Sequence, residues 1–270
     1  MQIPTLVVFD VDGTLVDWDG NVSTSTASTL AKLREMRVPI ALATGRPLSI
    51  AQLTLDHVGG ADWMACGNGS VLFDVASGIR LRDRYLPDHI VEPLVRSLRR
   101  ELPGVGFAIE LSDTMIEEEG FARRVPEEPT VAPVADVLVA LHDAQSPVRR
   151  LIPFHDDFDQ RLDELAAIVG RFVDGRCQVQ FGGLPIIDVS PVGDHKAAAM
   201  QVLIEHLGIE VSDVVAFGDG SNDIEMLHWA GIGVAMGNAG PLVQSVADVV
   251  TASIDGLGIA DYFAALFASD

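Results

Sequence analysis

Two carboxylates stand two residues apart, Asp10 and Asp12, at the end of the apolar run Thr5-Leu-Val-Val-Phe-Asp10, with Gly13, Thr14 and Asp17 just beyond. At about 4 Å, two such charges repel by on the order of 4 kcal/mol in a partly dry site, so the pair needs a cation or a proton between them. Gly13 permits a tight turn, and Thr14 can bond the local backbone. Read alone, the segment is equally an acidic turn after a strand. Further polar groups that could share its chemistry are Thr44-Gly45-Arg46, Lys196, and Asp219 with Asn222 and Asp223. Each has a plainer reading. Thr44 could end a strand. Lys196 opens a helical stretch, where a cation opposes the macrodipole unless an anion is near. Asn222 with Glu225, or Ser221, could cap a helix. Asp17 and Asp19 read as solvated loop acids.

These residues fall where an α/β protein places its ligands. Short apolar runs at Thr5–Asp10, Pro39–Thr44, Val214–Asp219 and Ile232–Met236 read as buried parallel strands. Helical stretches lie between them, among them Ala199, Met200, Leu203, Ile204 and Leu207 after Lys196. Strands alternating with helices predict a Rossmann-like, doubly wound parallel-sheet core, in which ligands bind outside the carboxyl ends of the strands. The polar clusters occupy three such ends.

The middle third differs. Val91, Leu94, Val95, Leu98 and Leu102 share one helical face, and Phe158, Leu162, Leu165, Ala166 and Val169 share another. Extended candidates run over Gly106–Leu111 and Met115–Ala122, with a Pro-rich stretch from Pro126 to Pro133. The reading is a core of residues 1–84 and 191–270 with an inserted α+β domain at 85–190. Linkers are expected near Tyr85-Leu86-Pro87 and Ser190-Pro191.

Composition limits the partners. The 270 residues carry 39 acidic and 18 basic side chains, a formal net charge of −21. That argues against nucleic acid, which needs Lys and Arg gathered on one face. A small anionic substrate stays open, because a bound cation inverts a local field. Cys66 and Cys177 are the only cysteines, neither a disulfide framework nor a zinc set. No basic leader and no apolar run of about 18 residues is present, so the expectation is a cytoplasmic protein without membrane contact, a monomer or homodimer. No G-x-G-x-x-G follows a strand and no Walker loop occurs, which leaves a dinucleotide cofactor unsupported.

Asp10-x-Asp12-Gly-Thr resembles the first motif of the haloacid dehalogenase superfamily. Ala43-Thr44-Gly45-Arg46 is similar to the second motif, Lys196 to the third, and Gly218-Asp219-Gly-Ser-Asn222-Asp223 to the fourth. The likeness extends to Gly67-Asn68-Gly69 and Val234-Ala-Met-Gly-Asn238-Ala, so it covers nearly the whole chain. The 32 residues from Asp12 to Thr44 leave no room for a large insertion, whereas the 152 from Thr44 to Lys196 hold a full domain. That placement resembles the Cof-type branch (subclass IIB), whose α/β cap closes over the site.

The resemblance implies a Mg²⁺-dependent phosphatase acting on a small phosphorylated metabolite. Asp10 would be the nucleophile that forms an aspartyl-phosphate, and Asp12 the general acid and then base. Asp10, the backbone carbonyl of Asp12, and Asp219 would hold Mg²⁺, with Asp223 a ligand or a partner of one. Thr44, the Gly45 amide and Lys196 would surround the phosphoryl oxygens, and Asn222 would bond phosphate or fix Lys196. The same resemblance admits a phosphomutase or phosphotransferase of the phosphomannomutase type, and a non-catalytic sugar-phosphate sensor. Dehalogenation is disfavoured because Asp12 is present and a metal site replaces the halide cradle. His195 departs from the usual serine or threonine before the lysine, and solvent exposure is its expected fate. Cys66 is expected to be a small buried hydrophobe. Glu110, Phe121, Arg123 and Arg149 are candidates for cap contacts with substrate, while Glu117-Glu118-Glu119 and Glu127-Glu128 read as solvated surface.

Overall fold

Runs of two to seven residues, most of them rich in Val, Ile, Leu and Phe, form the strands, which in chain order are β1 (Leu6–Phe9), β2 (Ile40–Ala43), β3 (Trp63–Cys66), β4 (Val71–Asp74), β5 (Arg80–Asp83), β6 (Gly106–Leu111), β7 (Met115–Glu117), β8 (Val148–Phe154), β9 (Cys177–Phe181), β10 (Ile187–Pro191), β11 (Val214–Gly218), β12 (Ile232–Ala235) and β13 (Val249–Val250). The helices are α1 (Thr24–Glu35), α2 (Ala51–Val58), α3 (Asp88–Glu101), α4 (Val137–Ala144), α5 (Leu162–Gly170), α6 (Lys196–Leu207), α7 (Ile224–Trp229), α8 (Pro241–Val246) and α9 (Gly258–Phe267). They are taken from a computed structural model that describes residues 3–124, 131–173, 175–181 and 186–267. Most of the expected Pro-rich stretch, and Glu127-Glu128, lie outside the described residues.

The chain divides into two compact bodies. The first comprises residues 1–44, 51–82 and 195–270, and the second residues 45–50 and 83–194. In the first, the sheet order is β13-β12-β11-β1-β2-β3-β4-β5. Pairing is parallel from β13 through β3, and β4 adds antiparallel to β3. The order reverses at β1, with β2 on one side and β11 on the other, and this is where a doubly wound sheet opens a crevice. Side chains alternate across the sheet. Leu6, Val8, Ala41, Val214 and Ala216 pack with Ala199, Met200 and Leu203 of α6. Phe9 stacks on Phe217 at 5.0 Å between ring centroids, and Phe217 meets Tyr262 and Phe263 of α9.

In the second body an antiparallel sheet runs β7-β6-β8-β10-β9. Phe107, Ile109, Leu151, Ile187 and Val189 on one of its faces pack with Val91, Leu94, Val95 and Leu98 of α3, Val137 of α4, and Leu165 and Val169 of α5. Two expectations change. The extended run from Met115 stops at Glu117, because Gly120, at φ +97°, turns the chain into a single helical turn over Ala122–Arg124. Ser190-Pro191 is no linker but the end of β10, paired with Gln178 and Cys177 of β9, and the chain turns at Val192–Asp194 instead. Among the described residues no helix is long and apolar enough to cross a membrane.

Leu203 is fully buried between α6 and the core sheet. Leu203→Ala is expected to cost about 2–5 kcal/mol of unfolding free energy, read as a lower urea midpoint at unchanged slope. A loss below about 1 kcal/mol would mean that α6 is not fixed by this face.

Candidate active site

The carboxyl ends of β1 and β11 lie side by side, the Asp10 amide continuing the ladder by donating to the Phe217 carbonyl at 2.9 Å. Beyond β1 the chain folds back at once, with the amides of Leu15 and Val16 donating to the Val11 carbonyl at 2.9 and 2.8 Å. Gly13 sits in that turn at φ +80°, and a side chain there would fall on the Asp219 carboxylate. The position therefore demands glycine twice, for conformation and for space.

Past β11, Asp223 folds its carboxylate under the turn, and its Oδ2 accepts the amides of Asp219 and Gly220 at 3.1 and 2.9 Å. Thr14 Oγ1 donates to Asp219 Oδ1 at 3.3 Å, and Asn238 Nδ2 donates to Asp219 Oδ2 at 3.1 Å and to the Gly13 carbonyl at 2.9 Å. Asn238 thus ties the two strand-end turns together. Sequence reading assigned it no role, although it lies in one of the segments of resemblance.

Lys196, at the first position of α6, is buried, and its Nζ donates to Asp10 Oδ1 at 2.5 Å and to Asp223 Oδ1 at 2.7 Å. These two anions answer the objection to a cation at a helix N-terminus. His195 is half-buried rather than exposed, because its Nδ1 accepts the Ala198 amide at 3.2 Å and caps the helix that Lys196 opens. A capping hydroxyl would do the same work, which explains how imidazole serves there. A side chain at Gly69 (φ +90°) would strike the His195 carbonyl at 2.5 Å, so this glycine lets the helix start approach.

Asp10, Asp219 and Asp223 each present a carboxylate oxygen within 4.8 Å of the others'. Burial, then the charges of Asp223, Asp219 and Asp12, hold the Asp10 carboxyl well above its usual range, although Lys196 pulls the other way. Burial and Asp223 push Asp219 up to about 6. Burial alone would lower the Lys196 ammonium, but Asp10 and Asp223 overcome it and hold it above its ordinary value. The cluster holds more negative charge than one ammonium balances, and a hard cation with oxygen ligands fits that excess.

Thr44 is fully buried at the end of β2, with its amide donating to the Ala65 carbonyl and its carbonyl accepting the Asn68 amide at 3.0 Å. Asn68, in a left-handed conformation at φ 52°, accepts at Oδ1 from Asn222 Nδ2 at 2.9 Å. So Asp223, not Asn222, fixes Lys196, and Asn222 braces the turn after β3. Gly45 lies in the other body. Asp17 closes a loop by accepting the amides of Asp19 and Asn21, and Cys66 is buried at the end of β3.

The cap candidates sort differently. Phe121 packs with Ala108, Met115, Ile152, Phe154 and Ile186. Arg123 pairs with Asp156. Glu110 and Arg149 are buried within an ionic cluster of the second body. Of the acids expected at the surface, Glu117 is buried. Glu118 is drawn in by Arg99 at 2.5 Å and by the amides of Phe107 and Val137.

A sequence profile of haloacid dehalogenase-like hydrolases matches residues 7–263. An HMP-PP phosphatase of Serratia proteamaculans is 30% identical over 249 residues, 89% of this chain and 86% of that protein. Among solved structures, a haloacid dehalogenase-like hydrolase from Bacteroides thetaiotaomicron is 27% identical, covers 98% of this chain and 100% of its own, and superposes with a TM-score of 0.82. The subclass IIB sugar phosphatase BT4131 is 26% identical, with 97% and 99% coverage and a TM-score of 0.82. With the profile spanning both bodies, the chain belongs to the haloacid dehalogenase-like hydrolases, in the Cof-type, subclass IIB branch.

Proposed function

We propose that this enzyme is a Mg²⁺-dependent phosphatase that hydrolyses a small phosphate monoester, of the sugar-phosphate class, through an aspartyl-phosphate. The observation that carries the reading is the Lys196 ammonium bonded at once to Asp10 and Asp223, with Asp219 completing a buried carboxylate cluster. The sugar phosphatase among the relatives supports the substrate class, and the HMP-PP phosphatase supports phosphatase activity.

In this reading Asp10 Oδ attacks phosphorus while Asp12 gives a proton to the leaving oxygen, and the phosphorus–oxygen ester bond breaks. Water then attacks the aspartyl-phosphate, Asp12 takes its proton, and Asp10 is released with orthophosphate. Lys196 favours the ionised form of Asp10 for the attack, and with Thr44 and the Gly45 amide it surrounds the equatorial oxygens. Asp10, the Asp12 carbonyl and Asp219 would hold Mg²⁺, with Asp223 supporting from the lysine side. The cation would supply charge neutralisation between the carboxylates and on the phosphoryl group.

A screen of phosphate monoesters with Mg²⁺ tests the reading directly, and absence of turnover on every ester would overturn it. Chelation is expected to abolish activity, and Asp219→Ala to weaken Mg²⁺ binding by about tenfold or more, since neutral water replaces an anionic ligand. Full activity in chelator would remove the metal assignment.

The raised carboxyls set a pH dependence. Asp219 titrates near 6 in the cation-free protein, above its ordinary 3.8, and Asp10 shifts the same way. Between those values the folded chain binds more protons than the unfolded one, so these groups lower stability as pH rises from about 4 through 6. A bound cation removes that penalty by favouring the ionised forms. The Tm gain on adding Mg²⁺ should therefore grow between about pH 5 and pH 7. A gain that shrinks over that interval would contradict the cluster as the cation site.

The two aspartates should separate in rapid mixing. Asp10→Asn removes the nucleophile and is expected to abolish phosphoenzyme with every ester. Asp12→Ala loses only proton transfer, worth about 10²–10⁴-fold, and p-nitrophenyl phosphate needs no proton on its leaving group. That variant should give a burst of nitrophenolate up to one per site, then a slow steady state, and no burst with an alkyl phosphate. A burst from Asp10→Asn instead would reverse the assignment.

A further inference from the structure

The geometry points to Arg150 as a positioning residue for the turn that carries the phosphate-holding Gly45 amide, an inference that rests on the role proposed above for that amide. Arg150 lies on β8, opposite Glu110 of β6. It is almost fully buried, as are Glu110 and Asp188 of β10. Its Nε donates to Glu110 Oε2 at 2.6 Å, and its Nη1 reaches Asp188 Oδ2 at 3.2 Å. The same Nη1 donates to the Gly45 carbonyl at 3.0 Å. The other oxygen of Glu110 accepts the Leu48 amide at 3.1 Å. One Arg–Glu pair therefore holds Gly45 by its carbonyl and Leu48 by its amide, on either side of Pro47.

The rest of the cluster locks the pair. Gln180 Nε2 donates to Asp188 Oδ1 at 3.2 Å and to Ser190 Oγ at 2.9 Å. Arg149 pairs with Asp83 at 2.6 Å and lies 3.5 Å from Glu110. A planar guanidinium is suited to this task, because it presents donors in a fixed fork to two carboxylates and a carbonyl. The segment it holds follows Thr44 directly, and residues 45–50 group with the second body while Thr44 belongs to the first. Arg150 and Glu110 thus fix the Gly45 carbonyl and the Leu48 amide, and the turn so held begins at the residue whose amide is assigned to phosphate above.

The test compares Arg150→Lys with Arg99→Lys. Lysine at 150 keeps the charge that Glu110 and Asp188 require but concentrates its donors at one point. Arg99 anchors Asp136 and Glu118 in the same body and touches no residue of 45–50 in the contacts described. With p-nitrophenyl phosphate and Mg²⁺, Arg150→Lys is expected to raise KM and the inhibition constant of orthophosphate together, each by about tenfold, about 1.4 kcal/mol of phosphate binding. Arg99→Lys should leave both near wild type. Unchanged constants in a folded Arg150→Lys, a fall in kcat alone, or equal losses in Arg99→Lys would overturn the inference. Should Arg150→Lys fail to fold, Glu110→Gln keeps an acceptor for Leu48 but loosens the guanidinium. It should move the same two constants the same way by about threefold, and no movement overturns the inference. If the wild-type chain turns over no ester, the catalytic reading fails alone, and calorimetric orthophosphate affinity of wild type against Arg150→Lys still decides the positioning role. A wild-type chain that neither hydrolyses esters nor binds orthophosphate overturns both.

Discussion

One ammonium among four carboxylates is the constraint on which the rest of this molecule turns. Lys196 is bonded to Asp10 and Asp223, while Asp219 and Asp12 add their charge to the same small volume. Removing any of these groups from water is costly, and like charges a few ångströms apart raise the cost further. Without a cation the folded chain answers by taking up protons, which is why Asp10 and Asp219 are both held above their ordinary range. A cation among them would favour the ionised carboxylates, the state that the nucleophile proposed at Asp10 requires. The site is built with a negative excess, and that excess fits a bound cation.

Such a cluster survives only if the backbone leaves it no other conformation. Two neighbouring parallel strands, β1 and β11, deliver Asp10 and Asp219 to one edge, and the helix start delivers Lys196. The turns between are closed by backbone amides. Asp223 spends one oxygen on the amides of Asp219 and Gly220 and the other on Lys196, so a single side chain shapes the turn and orients the cation. Asn238 does the equivalent for Asp219, while Asn68 and Asn222 brace each other on the far side of Thr44. These are neutral groups, which hold charged ones without adding to the repulsion.

What the sequence disclosed follows from the range of the forces involved. The parallel strands were legible because burial on both faces leaves a continuous apolar run, and the strand-end acids because such residues have no packing reason to follow one. Lys196 and Asp223 were legible as members of ordered motifs, but their contact joins residues 27 positions apart in the chain and needed the fold. Roles that depend on direction were not legible. Asn222 could have faced Lys196, and it faces Asn68 instead. His195 stands where a serine or threonine, both common caps, is usual, but imidazole is an uncommon cap and its role needed the structure. Glu110 and Arg149 were visible as polar residues of the insertion, yet spacing alone does not tell a substrate contact from a buried ion pair. Ser190-Pro191 looked like a linker because proline breaks sheets, but the last residue of a strand tolerates it.

The buried ionic cluster of the insertion is hard to explain as a stabilising device. Replacing a buried ion pair with apolar residues of similar size is often neutral or favourable, so Arg150, Glu110 and Asp188 are a poor choice for strength alone. The opposite face of the same sheet shows the alternative, where Leu151, Ile109 and Val189 pack against helices. What an apolar patch cannot do is fix a backbone carbonyl and a backbone amide three residues apart. Gly45 and Leu48 require a donor and an acceptor at set positions, and Arg150 with Glu110 provides one of each. The charge is retained where the main chain needs directional partners, which makes the cluster an element of geometry more than of stability.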